Sequence, residues 1–185
     1  MPIDASTAVS GMWDTRRILI AMDIAPRTRE ALEWIIGILS DHSIPYQISG
    51  GFAAKLYGSP RDLNDIDLDV PDAALPELLE LVRPYVTDDL THYEDGKWDL
   101  NIMTLDYKGQ EIDIGGADEV KVSNLERTKF IPIPSDLTRA VNMEVAGLTV
   151  KVMPPEDLIA YKQHLDGDHQ VVDIEAVKKY LRSRD

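Results

Sequence analysis

At 185 residues, with 44% hydrophobic side chains, the chain is long enough to bury one core, and one domain is the expectation. Its 33 acidic against 19 basic residues give a formal charge of −14, which disfavours extended contact with nucleic acid. The absence of cysteine excludes disulfides, thiolate metal sites and cysteine nucleophiles. No run approaches the roughly 20 apolar residues of a membrane span, and Met1 to Ser10 lacks the basic-then-apolar order of a secretory signal. The cytoplasm is therefore the expected address.

Residues 16–24 support either a strand or a helical turn, because Ile18, Leu19, Ile20, Met22 and Ile24 fit both periods. From Pro26 the pattern is helical: proline and Thr28 suit a helix start, and Ala31, Leu32, Ile35, Ile36 and Leu39 form an apolar stripe ending near Ser43. Ile44 to Ile48 reads as a short strand running into Ser49-Gly50-Gly51, a sharp turn. Phe52 to Tyr57 follows as a short helix, broken at Gly58-Ser59-Pro60. Asp65 to Val70 alternates acid and aliphatic residues, which predicts a half-buried strand with Ile66, Leu68 and Val70 inward.

Asp72 to Val82 reads as an amphipathic helix. Trp98 to Asp106 and Gln110 to Ile114 read as antiparallel strands joined through Tyr107-Lys108-Gly109. A strand over Leu148 to Met153 meets Pro154-Pro155-Glu156-Asp157, where proline and acids favour a helix N-terminus. Leu158 to Leu165 continues that helix, Gly167 breaks it, and Val171 to Leu181 is the last.

The stretch that carries chemistry is Ile48-Ser49-Gly50-Gly51, thirteen residues, then Asp65-Ile66-Asp67-Leu68. Two carboxylates at i and i+2 on a strand share one face and, alone, repel. A divalent cation resolves that conflict, and hard oxygen ligands without histidine or cysteine suit Mg²⁺ or Mn²⁺. The glycines let backbone amides approach a phosphate. Lys55 and Arg61 lie on the glycine side, where a cation can neutralise triphosphate charge; the bland reading of each is plain surface. Asp69 extends the acidic face, with solvent as its default partner. His164 and His169 read as a solvated pair, and Trp34 and Trp98 as core residues, Trp98 with the option of lining a base pocket.

This stretch resembles the signature of the polymerase-β-like nucleotidyltransferase superfamily: a hydrophobic residue, paired small residues, a spacer, then acid, hydrophobic, acid, hydrophobic. Within it, Gly50 to Leu68 is most similar to the minimal nucleotidyltransferases, which include lincosamide, aminoglycoside and toxin–antitoxin relatives. The resemblance covers about residues 44 to 181. It implies a third acid on a neighbouring strand, for which Glu111-Ile112-Asp113-Ile114 supplies Asp113, a metal ligand able to take the acceptor proton. It implies that Lys162, in Pro155 to Lys162, faces the site, and that Asp173 matches an acid of the closing helix. Between them, Gly167-Asp168-His169-Gln170 replaces the family's usual basic segment.

The implied fold is α/β of the α+β kind: a small mixed, largely antiparallel sheet with three acids on one face and helices packed on the other. Residues 1–25 are expected to be an N-terminal extension and 26–185 the nucleotidyltransferase domain with its C-terminal helices. The implied reaction is metal-dependent transfer of a nucleoside monophosphate from an NTP such as ATP, with release of pyrophosphate. Asp65, Asp67 and Asp113 would be catalytic and hold two Mg²⁺ ions, with Mn²⁺ as a substitute. Ser49, Gly50, Gly51, Lys55, Arg61 and Lys162 would bind the nucleotide. The acceptor is left open among a small molecule, a protein and an RNA end; no long nucleic acid and no membrane are expected as partners. The alternative is a regulatory or antitoxin module of the same fold, acting on a toxin partner; a metal-dependent phosphohydrolase is a further rival.

Overall fold

The computed structural model describes residues 24–62 and 64–184. The segment 16–24 thus falls outside the described residues except for Ile24, which is buried in the core. The expected helix from Pro26 is α1 (Pro26–Asp41). Next come β1 (Gln47–Ile48), α2 (Gly50–Leu56) and β2 (Asp65–Val70). A single 3₁₀ turn at Asp72–Ala74 leads into α3 (Leu75–Val82). The middle of the chain gives β3 (Val86–Glu94), β4 (Trp98–Tyr107), β5 (Gln110–Gly116), β6 (Lys121–Ser123) and β7 (Phe130–Pro132). It closes with β8 (Val141–Val145), β9 (Leu148–Val152), α4 (Pro155–Lys162) and α5 (Asp168–Arg182).

The sheet runs β7-β6-β4-β5-β2-β1-β9-β8, with β3 also paired to β4. Pairs β1–β9 and β2–β5 are parallel and the others antiparallel, the mixed and largely antiparallel sheet expected. Alternation along β2, β4 and β5 separates two faces. Ile66, Leu68, Val70, Met103, Leu105, Ile112 and Ile114 are all buried on one. There Trp34 of α1 stacks on Tyr107 at 4.3 Å between ring centroids, and Leu75, Leu78, Leu79 and Val82 of α3 join the same core. The opposite face carries Asp65, Asp67, Asp69, Glu111 and Asp113, beside which α4 lies.

Several strands depart from the sequence reading. The first is two residues rather than five, since Pro45 has no N–H and only Gln47 and Ile48 find ladder partners. Strand β3 lacks an alternating pattern because it is an edge with little burial on either face. Strand β8 is joined to β9 by Ala146-Gly147, both with positive φ, a two-residue turn of the kind that also closes Lys108-Gly109.

The C-terminal helices are locked to the α2 side by charge. Asp173 of α5 is fully buried and accepts from Ser59 Oγ at 2.6 Å, Arg61 at 2.5 Å and Lys162 at 2.9 Å. Lys162 is itself only 3% exposed and also donates to Gln170 Oε1 at 3.0 Å. Asp173→Ala would leave a buried ammonium without its counter-charge, so urea denaturation should show a loss of about 3–5 kcal/mol. A loss below about 1 kcal/mol would mean that water reaches Lys162 freely.

The two glycines of the β1–α2 turn differ. Gly50 has φ +58°, and a Cβ there would lie 1.9 Å from Asp67 Oδ2 and 2.9 Å from Asp67 Cβ, whereas a Cβ at Gly51 meets nothing within 4 Å. Gly50→Ala should therefore cost more than the roughly 1–2 kcal/mol of left-handed strain alone. Gly51→Ala should be neutral or stabilising by up to about 1 kcal/mol through helix propensity. Equal melting temperatures for the two variants would contradict this geometry.

Candidate active site

The acids are brought together by strand register. Strands β2 and β5 pair in parallel with Asp65 opposite Glu111 and Asp67 opposite Asp113, so period-two alternation sends all four carboxylates to one face. Oxygens of Asp65, Glu111 and Asp113 lie within 4.8 Å of one another. Asp113 is held from the neighbouring strand by Thr104 Oγ1, which donates to its Oδ1 at 2.6 Å. Asp67 is aimed at the glycine turn: the Gly51 N–H donates to its Oδ2 at 3.0 Å.

Crowding and burial shift these groups. Desolvation, then the Asp65 charge, pushes the Asp67 carboxyl up to about 8, against the opposing pull of the Gly51 N–H. Asp113 is raised by burial and by Asp65, with Thr104 pulling it back. Glu111 is raised chiefly by the Asp113 charge. Such mutual repulsion, in a set made only of hard oxygen donors, fits a divalent cation of the Mg²⁺ or Mn²⁺ type.

Beside the acids opens a cavity of about 510 Å³. Asp67, Asp69 and Asp113 line it on one side; Trp98, Leu100, Ile102, Pro132, Ile133 and Met153 give it apolar walls. Helix α4 adds Tyr161, whose phenol is pushed up by burial and by the charges of Asp67, Asp69 and Asp65, so that it stays a neutral hydroxyl. Asp69 is not a solvated extension of the acidic face. It accepts from Gln47 Nε2 at 2.8 Å, Ser49 Oγ at 2.9 Å and, at the outer limit of 3.5 Å, Ser135 Oγ.

Ser49, Gly50, Gly51, Asp65, Asp67 and Asp113 thus converge as the sequence suggested. Lys55, Arg61 and Lys162 gather elsewhere. Lys55 donates to the Arg61 carbonyl at 2.6 Å, Arg61 and Lys162 pair with Asp173, and none of the three lines the cavity. Trp98 lines the cavity rather than the core, as does His164, while His169 is exposed and turned to Gln170.

Two further residues of the candidate site, Glu111 and Thr104, have signals in the sequence. Glu111 precedes Asp113 by two residues, the same spacing that singled out Asp65 and Asp67. Thr104 follows from hairpin register: a two-residue turn pairs Tyr107 with Gln110, which sets Thr104 opposite Asp113.

The fold is shared with solved nucleotidyltransferases. A candidate nucleotidyltransferase from Thermotoga maritima superposes with a TM-score of 0.65 and 20% identity, covering 88% of this chain and 97% of that one. The lincosamide antibiotic adenylyltransferase LnuA, solved with lincomycin, gives a TM-score of 0.56 and 12% identity over 82% of this chain and 96% of its own. ANT(2")-Ia, solved in complex with adenylyl-2"-tobramycin, gives 0.55 and 16% over 85% and 91%. No curated protein matches the sequence. Residues 28–185 match the family described as nucleotidyl transferase of unknown function (DUF2204), and the chain therefore belongs to that family and is an enzyme of the nucleotidyltransferase class.

Proposed function

We propose that the protein transfers a nucleoside monophosphate from an NTP to a hydroxyl of its acceptor in a metal-dependent reaction. The observation that carries this reading is the convergence of Asp65, Glu111 and Asp113 within 4.8 Å, beside a cavity roomy enough for a ligand. Asp65 and Asp113, joined by Asp67, would hold two Mg²⁺ ions, or Mn²⁺, with Glu111 as an added ligand. When bound, such ions neutralise phosphate charge and make a hydroxyl more acidic.

The chain's own groups do the rest. The acceptor oxygen attacks the α-phosphorus, the new P–O bond forms as the bond to the β-phosphate bridge breaks, and pyrophosphate leaves. Asp113 accepts the acceptor's proton, its geometry fixed by Thr104 and its basicity raised by burial. The Ser49-Gly50-Gly51 turn would flank the triphosphate beside Asp67, with the Ser49 hydroxyl and the Gly51 N–H already given to Asp69 and Asp67. Lys55, Arg61 and Lys162 would add positive charge from behind that turn without touching the nucleotide, Arg61 and Lys162 being paired with Asp173 and Lys55 tied to the Arg61 carbonyl.

Net charge and the lack of a basic track favour a small acceptor or the end of a macromolecule over a long nucleic acid. The antitoxin reading has less support: a regulatory module has no need of a catalytic-type acid cluster. Among the described residues no helix is long and apolar enough to cross a membrane. Cytoplasmic residence is proposed on the sequence alone.

A screen of the four NTPs with Mg²⁺ should find one that raises the melting temperature, by an amount equivalent to about 2.7 kcal/mol at a hundredfold excess over Kd, with EDTA cancelling the gain. Asp113→Asn should lower pyrophosphate release by about 10²–10⁴-fold, the range for a lost general base, and Asp65→Asn should abolish the metal-dependent activity. Release of inorganic phosphate in place of pyrophosphate would instead make the protein a hydrolase.

The metal-free protein also carries a pH signature. Asp67 has a folded-state value near 8, above its unfolded value of 3.8, so the folded state binds the extra proton between them. Stability should fall as pH rises from about 4 to 8 and level off above. Asp67→Asn should flatten that slope in EDTA. Parallel wild-type and variant melting curves across this range would show that Asp67 ionises freely.

A further inference from the structure

The cavity's chemistry is one-sided in a way that nucleotidyl transfer does not require. Its charged lining residues are Asp67, Asp69, Asp113, Asp136 and Asp157, with His164 the one titratable nitrogen; among the described residues no lysine or arginine lines it. Asp157 has its own cation in Arg139 at 3.0 Å, and Asp136 caps the turn at Thr138. Asp67 and Asp113 belong to the acid cluster. Asp69 remains, a partly buried carboxylate held only by neutral donors.

The proton inventory around Asp69 is informative. Ser49 and Ser135 spend their hydroxyl protons on it, and Gln47 spends an amide proton. What these groups still offer is acceptors: the remaining lone pairs of Asp69, of the two hydroxyls and of the glutamine carbonyl. Gln47 is 1% exposed, lines the cavity, and its Oε1 has no hydrogen-bond partner. A buried carbonyl left unpaired is costly, and a partner must bring the proton. A carboxylate without a counter-ion asks in addition that the partner be positively charged. Adjoining walls of Trp98, Leu100, Ile102 and Tyr161 suit an apolar body, with ring faces that favour a nearby cation.

We propose that this floor is a receptor for an ammonium group, and that the acceptor is a small amino alcohol with an apolar body, its nitrogen on Asp69 and the Gln47 carbonyl. The hydroxyl of that molecule would then face Asp113 across the cavity. Calling the molecule the acceptor rests on the nucleotidyl-transfer reading; the ammonium site does not.

The test uses the full-length protein with Mg²⁺ at pH 7 and two probes of matched shape, 2-phenylethylamine and 2-phenylethanol, followed through the Trp98 indole N–H signal, assigned with Trp98→Phe. The amine should bind saturably and at least tenfold more tightly than the alcohol, and Asp69→Asn should erase the difference. Equal affinities in the wild type, or no saturable shift with the amine, would overturn the proposal without any variant. A second arm compares ATP with ITP, whose base lacks an amino group. If Asp69→Asn abolishes a preference for ATP while the amine fails to bind, the floor reads the nucleobase and the acceptor assignment falls. Binding of the amine without stabilisation by any Mg-NTP would sink nucleotidyl transfer and leave the ammonium site standing; the reverse result would sink the ammonium site alone.

Discussion

Parallel, in-register pairing of β2 with β5 forces four carboxylates onto one face of the sheet, and the repulsion among them is the constraint that the rest of the molecule answers. Two like charges about 5 Å apart at an effective dielectric of about 20 oppose each other by roughly 3 kcal/mol, a large share of a domain's net stability. The protein cannot relieve this by moving a strand, because the same alternation that raises the acids lowers Ile66, Leu68, Ile112 and Ile114 into a fully buried layer. A slip of one residue would bury the acids and expose the aliphatics. The core therefore holds the repulsion in place, and the site is left with a standing demand for positive charge.

How legible each part was in the sequence follows from how local its cause is. The acid strand and its faces could be read because strict alternation from Asp65 to Val70 records one buried face and one functional face. The Lys108-Gly109 hairpin carried its own turn signal, and its register reaches as far as Thr104. Strand β8 was hidden because Ala146 is a poor advertisement for a residue with φ +48°. Strand β3 was hidden because an edge with both faces wet has no pattern to show. The positions of Arg61 and Lys162 depend on Asp173, 112 and 11 residues away, and no local periodicity encodes such a partnership. Asp69 was legible as an acid on the right face but not as a pinned one, since Gln47, Ser49 and Ser135 come from three other places in the chain.

The placement of the cations follows the same logic. A lysine inside the acid cluster would neutralise the carboxylates permanently and compete with any divalent ion. In this fold the basic side chains expected at the nucleotide are tied back instead: Arg61 and Lys162 to Asp173, Lys55 to a backbone carbonyl. Those ties perform a second task, because Asp173 joins α5 and α4 to the loop that leads from α2 into β2. Gln170, just after the break at Gly167, takes the remaining side of Lys162. The chain has thus turned a region expected to meet the nucleotide into a buried brace behind the glycine turn.

What remains inside the cavity is an acidic floor and an aromatic wall, which divide recognition by chemistry. Near Asp65, Glu111 and Asp113 the carboxylates are close enough to share an ion, so their charge can be satisfied by something small and hard. Asp69 is held apart from that cluster by its own hydrogen bonds, and its geometry is fixed before any ligand arrives. A preorganised acceptor of this kind gives up little conformational freedom on binding, so the selectivity of the cavity is set by the ligand's charge and hydrogens rather than by adjustment of the protein. The excess of acids over bases across the whole chain acts in the same direction, drawing cations toward the surface and repelling polyanions. A magnesium ion cancels about half the charge of an NTP, so an MgNTP complex is repelled less than a bare polyphosphate or a nucleic acid strand.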